Sequence, residues 1–490
     1  MLEPLIYDLS SPGRLGVTLP ESDVPETALP NELIREDIGL PELSEMDVVR
    51  HFVHLSQLNY GVDIGFYPLG SCTMKYNPKI NEDAARLPGF ALTHPLQDPH
   101  LAQGNLALMF ETQQWLKEIG GFAGASLQPA AGAHGEFTGI LMIRAYHQDR
   151  GDTKRTKILI PDSAHGTNPA TTSMVGLDVV ELPSDGRGNV DLEALRQECD
   201  DTVAGMMLTN PNTLGLFEEH VEEVVKLVHD CGGLMYGDGA NMNALLGVIS
   251  PGDLGFDVLH YNLHKTFSTP HGGGGPGSGP VGVSEKLVDF LPGPIVDCVD
   301  CDSEEFPHFV LIEPKKSIGR VKSFMGHFGV VVRAYTYMRM QGKSGLRDVS
   351  DHAVLNANYL KARLEDTYNI PFNRTCMHEF VAEGCWKGIK GVHALDIAKR
   401  LMDYNFHPPT NYFPLIVHEA LMIEPTETES LETLDAFADA MLKIAEEARE
   451  QPELLHEAPH NTPIGRLDEV QAARQLVLCC RPSWLDDPKK

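Results

Sequence analysis

One lysine stands directly before a dense run of glycines in the stretch HKTFSTPHGGGGPGSGP, residues 264–280. In a nucleotide-binding P-loop the glycines precede the lysine, whereas glycines 272–275 follow Lys265. The apolar segment before it, DVLHYNL, is typical of a β-strand. Lys265 is therefore predicted at a strand end, and the order argues against a P-loop. We expect the glycines to form a loop that passes close to a ligand or another chain.

Other polar residues also follow predicted strands. His165 comes after KILIPD, Asp238 ends GGLMYGD, and His264 comes after HYNL. Ligands of open α/β sheets bind at the carboxyl ends of the strands, so these side chains are expected to converge. An earlier turn, SLQPAAGAHGEFTG (126–139), runs small residues into a predicted helix, whose first N–H groups can bind an anion.

Pyridoxal 5'-phosphate explains this set of residues. Its aldehyde needs a lysine for a Schiff base, its pyridinium nitrogen needs a carboxylate, and its phosphate suits a helix N-terminus. Lys265 supplies the amine, and Asp238, beside a cation, should stay ionised and keep the ring nitrogen protonated. His165 would stack on one ring face and Ala240 would press on the other. The residues expected to cradle the phosphate are Gly132, Ala133 and His134.

Each of these residues has a simpler structural explanation when taken alone. A lysine after a strand is usually a solvated residue, an aspartate there is commonly a helix cap, and a lone histidine is usually structural. The order along the chain weakens these explanations jointly, since an anion-binding turn, a stacking ring, an aspartate and a lysine follow one another.

The elements that must position these residues alternate between two patterns. Short apolar runs (158–163, 179–183, 204–211, 232–238 and 257–263) alternate with helix-like stretches such as HVEEVVKLVHDC. This alternation predicts βαβ units and a mostly parallel sheet in an α/β fold. A long apolar helix is predicted over 321–341, followed by the helical HAVLNANYLKARLED and the strand-like KGIKGV and FPLIV. We predict an N-terminal arm (1–50), a large domain (51–340) and a small α+β domain with a tail (341–490).

Composition restricts the partners. The net charge of −30 argues against nucleic acid or anionic lipid as the main partner. The first residues lack the pattern of a signal peptide. The sequence has no run of about 18 apolar residues, so no membrane helix is predicted. We therefore expect a cytoplasmic protein with reduced thiols. The lone pair Cys298 and Cys301 is interpreted as chance spacing, with a weak metal site as the alternative and a disulfide between the two left open. The adjacent Cys479 and Cys480 are interpreted as packing residues.

The sequence resembles the P-protein family of the glycine cleavage system, glycine dehydrogenase (decarboxylating). The resemblance covers nearly the whole chain. The matching stretches are LIYDLSSPGRLG, PLGSCTMKYNP, QPAAGAHGEFTG, PDSAHGTNPATTSM, LTNPNTLGLFE, YGDGANMNAL, DVLHYNLHKTFSTPHGGGGPGSGPVGV, SIGRVKSFMGHFG and LMIEPTETES.

The resemblance implies a subunit organisation and a fold. The family occurs as one long chain with two related halves or as two separate subunits, and this chain resembles subunit 2 of the split form, which carries the lysine. It then needs a separate subunit 1, in a heterotetramer. The implied fold is that of aspartate aminotransferase, fold type I of the pyridoxal-phosphate enzymes, with a smaller α+β C-terminal domain.

The resemblance also implies a reaction and further site residues. Glycine would be decarboxylated and its aminomethyl group transferred to the lipoyl arm of the H-protein. His264 is expected to contact the cofactor, and Asn212 or Thr213 to hydrogen-bond its phenolic oxygen. The candidates for lining the entry of glycine and the lipoyl arm are Tyr67, Ser71, Cys72, Thr73 and His271. For Cys72, a packing role is the simpler explanation and a redox role the alternative.

Two other classes stay open from the sequence. One is a different fold-type-I pyridoxal-phosphate enzyme, such as an amino-acid decarboxylase or a cysteine desulfurase-like lyase. The other is an inactive scaffolding paralogue, against which the joint presence of Lys265 and Asp238 argues.

Overall fold

The computed structural model describes residues 3–35, 39–271, 277–301, 307–389 and 391–476. The predicted glycine loop (272–275) and Cys479 and Cys480 lie outside these ranges. The chain divides into two units, Met1–Ile64 with Glu457–Lys490, and Gly65–His456. The predicted boundary near residue 340 falls inside the second unit and stays a prediction.

The described strands form three sheets. The large sheet has the strand order β1-β7-β6-β5-β4-β2-β3, the second has the order β10-β12-β11, and β8 pairs with β9. The strands are β1 (Gly124–Ser126), β2 (Lys157–Pro161), β3 (Asp178–Leu182), β4 (Val203–Thr209), β5 (Leu234–Gly239), β6 (Val258–Tyr261), β7 (Val281–Val283), β8 (Ile295–Cys298), β9 (Phe309–Ile312), β10 (Phe380–Glu383), β11 (Thr410–Asn411) and β12 (Ala420–Ile423).

The large sheet is mostly parallel, as predicted. Strands β6, β5, β4, β2 and β3 run parallel to one another, and only β7 is antiparallel to its neighbours β1 and β6. Every residue of β4 is buried, and its neighbouring residues Met206 and Met207 belong to different hydrophobic clusters. Burial on both faces is what a continuous apolar strand at the centre of a parallel sheet requires.

The described helices are amphipathic where they cover the sheets. In α8, Val221, Val224, Val225 and Val228 are buried at the spacing of one helix face. The helices are α1 (Glu45–Gln57), α2 (Lys79–Ala85), α3 (Pro88–Ala91), α4 (Gln103–Gly120), α5 (Gly132–Asp149), α6 (Thr167–Val175), α7 (Leu192–Glu198), α8 (Val221–Asp230), α9 (Phe328–Leu364), α10 (Ala394–Asp403), α11 (Leu431–Glu450), α12 (Pro452–His456) and α13 (Glu469–Arg474). None of the helices in the described ranges is both long and apolar enough to cross a membrane.

Three local predictions were wrong. The helix predicted over 321–341 begins only at Phe328 and continues to Leu364, with a break at Gly342, whose φ is +62°. The runs KGIKGV and FPLIV are not strands in the described residues; β10, β11 and β12 occupy other segments. Short apolar runs do not distinguish strand from loop without knowledge of what packs against them.

The pair Cys298 and Cys301, interpreted from sequence as chance spacing, is joined by a disulfide at the end of β8. The Cα atoms lie 5.6 Å apart, within the range that a disulfide bridges. The pair is therefore not chance spacing, and its oxidised state departs from the expectation of reduced thiols. The sequence left the disulfide open because a spacing of three residues does not reveal which turn the backbone makes.

Candidate active site

Lys265 lies just beyond the carboxyl end of β6, at the edge where the parallel strands β5, β4 and β2 also end. Its Nζ donates a hydrogen bond of 2.8 Å to the carbonyl oxygen of Ser71. The side chain is half-buried. Its positive charge opposes the rise in pKa that burial causes at Glu379 and Glu424, adds to the lowering of the pKa of His165 and His271 by burial, and helps to keep the pKa of Asp238 low against burial.

Asp238 is buried at the end of β5. Its Oδ1 accepts a hydrogen bond from the Ala240 N–H at 2.9 Å, and its Oδ2 accepts one from Asn168 Nδ2 at 3.3 Å. Burial alone would raise its pKa, but His260, the Ala240 N–H, Lys265 and Asn168 hold the pKa of Asp238 below its ordinary value. The carboxyl therefore stays ionised next to the lysine, as expected from the sequence.

His260 is a site residue that the sequence reasoning missed. It pairs with Asp238 in the register of β5 and β6, and its Nε2 lies 3.5 Å from Asp238 Oδ1. Nδ1 lies 2.5 Å from the hydroxyl oxygen of Tyr236. Burial lowers the pKa of His260, and the negative charge of Asp238 opposes this shift. The sequence signal for His260 was its position in β6, opposite Asp238 in β5. This signal can be used only when β5 and β6 are known to be neighbouring strands.

Glu136 was also missed. It lies in the second turn of α5, where its Oε1 accepts a hydrogen bond of 2.8 Å from the Thr167 hydroxyl. Burial and the negative charge of Asp238 raise the pKa of Glu136 to about 7, although Asn168, Thr167 and Lys265 oppose the shift. Two buried carboxyls thus lie near one another with their pKa values shifted in opposite directions, as in sites that hold one acid and one base.

The N-terminus of α5 presents the predicted anion site. Gly132, Ala133 and His134 form its first turn, and within the described ranges the preceding residue, Ala131, makes no side-chain cap to their N–H groups. A Cβ on Gly132 would come within 2.6 Å of Asn262 Oδ1 and 3.1 Å of His260 Nε2. The glycine therefore keeps the helix end close to β6. The ring of His134 accepts a hydrogen bond from the Ala130 N–H at 3.1 Å and so supports its own turn.

The two residues predicted to flank a cofactor ring both lie at this edge. His165 is exposed; its Nδ1 lies 2.9 Å from Thr167 Oγ1, and its ring packs edge-on against Phe413 at 5.6 Å. Its pKa is lowered by partial burial and by Lys265, with Asp238 opposing the shift. Ala240 is half-buried and donates its N–H to Asp238.

Asn212 and Thr213 follow β4, but both side chains bond within the protein. Asn212 donates to the Gly188 carbonyl at 2.8 Å, and its Oδ1 accepts the N–H groups of Leu214 and Leu216 at 3.0 and 3.1 Å. The Thr213 hydroxyl donates to the Ser163 carbonyl. Their assignment as contacts of a phenolic oxygen stays a prediction.

The segment from Tyr67 to Thr73 reaches the lysine through Ser71. Cys72 Sγ lies 3.4 Å from His271 Nε2, and burial raises the pKa of the Cys72 thiol, an effect that Lys265 opposes. Tyr67 stacks on His407 with ring centres 3.6 Å apart. Thr73 is buried and donates its hydroxyl to Glu424 at 2.5 Å.

His264 and His271 face one another edge-on, with ring centres 5.0 Å apart. Burial, the other histidine and Lys265 lower the pKa of His264 to about 3. Burial and Lys265 lower the pKa of His271 to about 4. Both rings are therefore neutral near pH 7. His264 Nδ1 accepts the Ser278 N–H at 3.1 Å, which ties the lysine segment to the chain beyond the glycines.

A third set of groups that the sequence reasoning missed lies just before β10 and just after β12. His378, Glu379 and Glu424 are fully buried, and each offers a nitrogen or oxygen atom within 4.8 Å of the others. Glu379 Oε2 accepts the Ser71 N–H at 2.6 Å. These residues lie in the stretches MHEF and LMIEPTETES, whose acidic residues gave no sign of burial beside the lysine.

The residues of this site fit pyridoxal phosphate. They supply an amine, a buried ionised carboxylate and a helix N-terminus. The helix begins at Gly132, whose missing Cβ lets the helix end lie close to His260 and Asn262.

The fold agrees with this cofactor. A crystal structure of glycine decarboxylase (P-protein) of the glycine cleavage system covers 85% of this chain and 93% of its own, with a TM-score of 0.73 and 23% identity. Glutamate decarboxylase of Lactobacillus brevis follows with a TM-score of 0.62, at 13% identity over 89% of this chain and 96% of its own. The molecule has the fold of the fold-type-I pyridoxal-phosphate enzymes.

Sequence relatives define the family. A relative from Caldanaerobacter subterraneus subsp. tengcongensis, named "Probable glycine dehydrogenase (decarboxylating) subunit 2", is 59% identical over 97% of this chain and 98% of its own length. One of the same name from Desulforamulus reducens is 59% identical over 98% and 99%. The family profile "Glycine dehydrogenase, C-terminal domain" matches residues 349–462. The chain belongs to the family of glycine dehydrogenase (decarboxylating) subunit 2. The predicted family, fold class, enzyme class and cofactor are thereby confirmed.

Proposed function

We propose that this chain is the lysine-bearing subunit of a two-subunit glycine decarboxylase, which passes the aminomethyl group of glycine to the lipoyl arm of an H-protein. Membership of the subunit 2 family supports a partner subunit. The convergence of Lys265, buried Asp238 and the N-terminus of α5 at one sheet edge carries the proposal of where the reaction occurs.

The residues divide the work of holding the cofactor. Lys265 would bind its aldehyde carbon, and Asp238 would hold the proton on its ring nitrogen, because that carboxyl stays ionised. The N–H groups of α5 would bind its phosphate. When bound, pyridoxal phosphate accepts the electron pair that is left when the carboxylate of glycine departs as carbon dioxide.

Other residues shape the surroundings of this reaction. His165 and Ala240 would flank the cofactor ring, and His264 would contact the cofactor beside the lysine. We place Tyr67, Ser71, Cys72, Thr73 and His271 at the entry of glycine and the lipoyl arm. Cys72 and His271, whose Sγ and Nε2 lie 3.4 Å apart, support this placement because both lie near Lys265.

The test measures exchange of labelled carbon dioxide into glycine by the full-length chain co-expressed with subunit 1, with and without lipoylated H-protein. Lys265→Ala is expected to abolish both the exchange and the visible absorbance of the bound cofactor. Lys316→Ala is the control, since Lys316 is an exposed lysine paired with Asp149.

Two outcomes would contradict the proposal. Exchange that does not depend on the H-protein would indicate another decarboxylase or lyase of this fold. Absence of cofactor absorbance in the wild-type assembly would indicate an inactive scaffolding protein. We also propose a cytoplasmic location, which cell fractionation tests.

A further inference from the structure

The side chains of His378, Glu379 and Glu424 form a buried cluster. The contacts around this cluster do not pair all of its ionisable groups. All three are completely shielded from solvent. A carboxylate taken out of water is stable only when it is paired, hydrogen-bonded or protonated. Each of the two carboxyls must therefore be in one of these three states, and its charge acts on the nearby Lys265.

The backbone of one residue, Ser71, connects this cluster to the lysine. The Ser71 N–H donates to Glu379 Oε2 at 2.6 Å, and the Ser71 carbonyl accepts from Lys265 Nζ at 2.8 Å. Ser71 has a φ of +60°, a backbone conformation that is strained for a non-glycine residue. The hydrogen bonds at its N–H and at its carbonyl hold this conformation from both sides of the Cα, so Glu379 helps to orient the backbone that presents the Ser71 carbonyl to the amine.

The hydrogen bonds assign a proton to one of the carboxyls. Both oxygens of Glu379 face N–H donors, from Ser71 and, at 3.4 Å, from Asn241 Nδ2. Glu424 Oε1 accepts the Thr73 hydroxyl, whereas Glu424 Oε2 and both ring nitrogens of His378 have no hydrogen-bond partner among the described residues. A proton on Glu424 Oε2 would turn that atom into a donor, with Glu379 and His378 as the nearby acceptors.

A divalent cation is the competing explanation for such a cluster. The oxygen of Glu379 that accepts the short Ser71 bond already faces a donor, and the ammonium of Lys265 adds positive charge nearby. A cation would also leave the second ring nitrogen of His378 without a partner, although ligating histidines normally use it. The contacts therefore favour a proton.

We propose that Glu424 holds the proton of a carboxyl pair, and that Glu379, its ionising member, positions the amine of Lys265 through the backbone of Ser71 whenever that amine is not bonded to the cofactor. This inference rests on the proposed role of Lys265 as the covalent anchor. Glu379 and Glu424 are positioning residues, since the backbone of Ser71 stands between them and the amine.

The charges that face the pair agree with this assignment. Burial raises the pKa of Glu379 to about 8, while the Ser71 N–H and Lys265 lower it. Burial and Glu379 raise the pKa of Glu424 well above its ordinary value, with Glu427 adding to the shift and Thr73 and Lys265 opposing it. The other titratable groups beside the pair are the thiol of Cys72, which interacts with both carboxyls, the thiol of Cys376, which interacts with Glu379, and the ring of His378, whose Nε2 lies 3.7 Å from Glu379 Oε1. Negative charge therefore develops on Glu379 as the pH approaches 8, while Glu424 stays protonated.

The test follows the reaction of the Lys265 amine with its cofactor rather than turnover. The full-length assembly with subunit 1, freed of cofactor, is mixed with pyridoxal phosphate and cyanoborohydride between about pH 6 and 10, where an amine loses its proton. Peptide mass spectrometry then gives the rate of labelling of Lys265 at each pH.

Glu379→Gln is expected to move the midpoint of this profile down by roughly one pH unit, since a nearby negative charge that favours the ammonium is lost. Glu424→Gln is expected to leave the midpoint in place, because glutamine resembles the protonated acid. Glu218→Gln is the control; Glu218 is a buried glutamate that accepts the N–H groups of Val190 and His220.

An unchanged midpoint in Glu379→Gln, or an equal shift in Glu424→Gln, would overturn the inference. A wild-type assembly that shows no labelling of Lys265 would instead refute the proposed anchor itself. If Glu379→Gln fails to assemble, an infrared difference spectrum between wild type and Glu424→Gln decides, because a protonated carboxyl band must disappear in the variant. A stoichiometric divalent cation bound in the purified assembly would equally refute a proton on Glu424.

Discussion

Asp238 and Glu136 show how the surroundings of a single residue determine its chemistry. Both are buried carboxyls, but Asp238 accepts the Ala240 N–H and lies beside His260, whereas Glu136 accepts hydroxyl hydrogen bonds from Thr167 and experiences the charge of Asp238. The first has a lowered pKa and the second a raised one. The site therefore keeps one fixed negative charge and one carboxyl that titrates near pH 7.

This difference predicts a pH dependence of stability at the scale of one residue. The pKa of Glu136 rises from an ordinary 4.5 to about 7 on folding, so the folded state keeps a proton that the unfolded state has lost. The resulting stabilisation is fully present below about pH 4.5 and is lost as the pH rises through about 7. Glu136→Gln should remove up to ~3 kcal/mol of this dependence.

Urea denaturation of the cofactor-free chain at several pH values measures the effect. The wild type should lose more unfolding free energy than Glu136→Gln between about pH 4.5 and 7.5. Glu193→Gln, at an exposed position of α7, serves as the control and should follow the wild type. Parallel curves for wild type and Glu136→Gln would refute a buried, protonated Glu136.

At the scale of elements, α5 approaches β6 closely because residues without side chains lie between them. Cβ atoms on Gly132 and Gly135 would each come within 2.6 Å of atoms of β6 or of the segment that follows it. The start of the helix therefore lies next to His260 and Asn262. This approach brings an uncapped helix N-terminus and the Asp238–His260 pair to the same edge of the sheet.

Closing this approach should weaken cofactor binding. In Gly132→Ala the new methyl group would displace Asn262 and His260 and crowd the N–H groups that are proposed to bind the phosphate. We expect the dissociation constant of pyridoxal phosphate to rise by about tenfold or more, which corresponds to about 1.4 kcal/mol. Absorbance titration of the cofactor-free assembly measures it.

Gly104→Ala is the matched control, since Gly104 also lies in the first turn of a helix but a Cβ there would have no heavy atom within 4 Å. It should bind the cofactor as the wild type does. An unchanged dissociation constant in Gly132→Ala, with Gly104→Ala also unchanged, would argue against phosphate binding at the start of α5.

At the scale of the whole molecule, the N-terminal segment exposes apolar side chains to solvent, which is unfavourable for a chain without a partner. Leu15, Val17 and Leu19 are 75%, 72% and 78% exposed, and they follow one another at alternate positions. Contiguous exposed apolar side chains usually mark a surface that another protein covers. The proposed subunit 1 is the partner that membership of this family suggests.

Replacing these three residues by serine should weaken the association with subunit 1 by more than tenfold, because roughly 1 kcal/mol is lost for each apolar side chain that the partner no longer buries. Sedimentation of co-expressed subunits measures it. Leu92→Ser, at an equally exposed leucine of the other unit, is the control. Association at wild-type strength in the triple variant would place the partner elsewhere.

The sequence by itself determined the alternation of strands and helices, the mostly parallel sheet, and the placement of Lys265, Asp238 and the start of α5 at its carboxyl edge. These features follow from local patterns, since apolar runs of four to eight residues and helical spacing are set by burial within one element. The long motifs of the sequence also determined the family.

Only the tertiary structure decided the charge environment of the site. His260 depends on the pairing of β5 with β6, and Glu136 on the packing of α5 near Asp238. Glu379 and Glu424 lie beside β10 and β12, more than a hundred residues after Lys265 in the chain. The pKa of a carboxyl depends on solvent exclusion and on neighbouring charges in space, and neither of these can be derived from spacing along the chain.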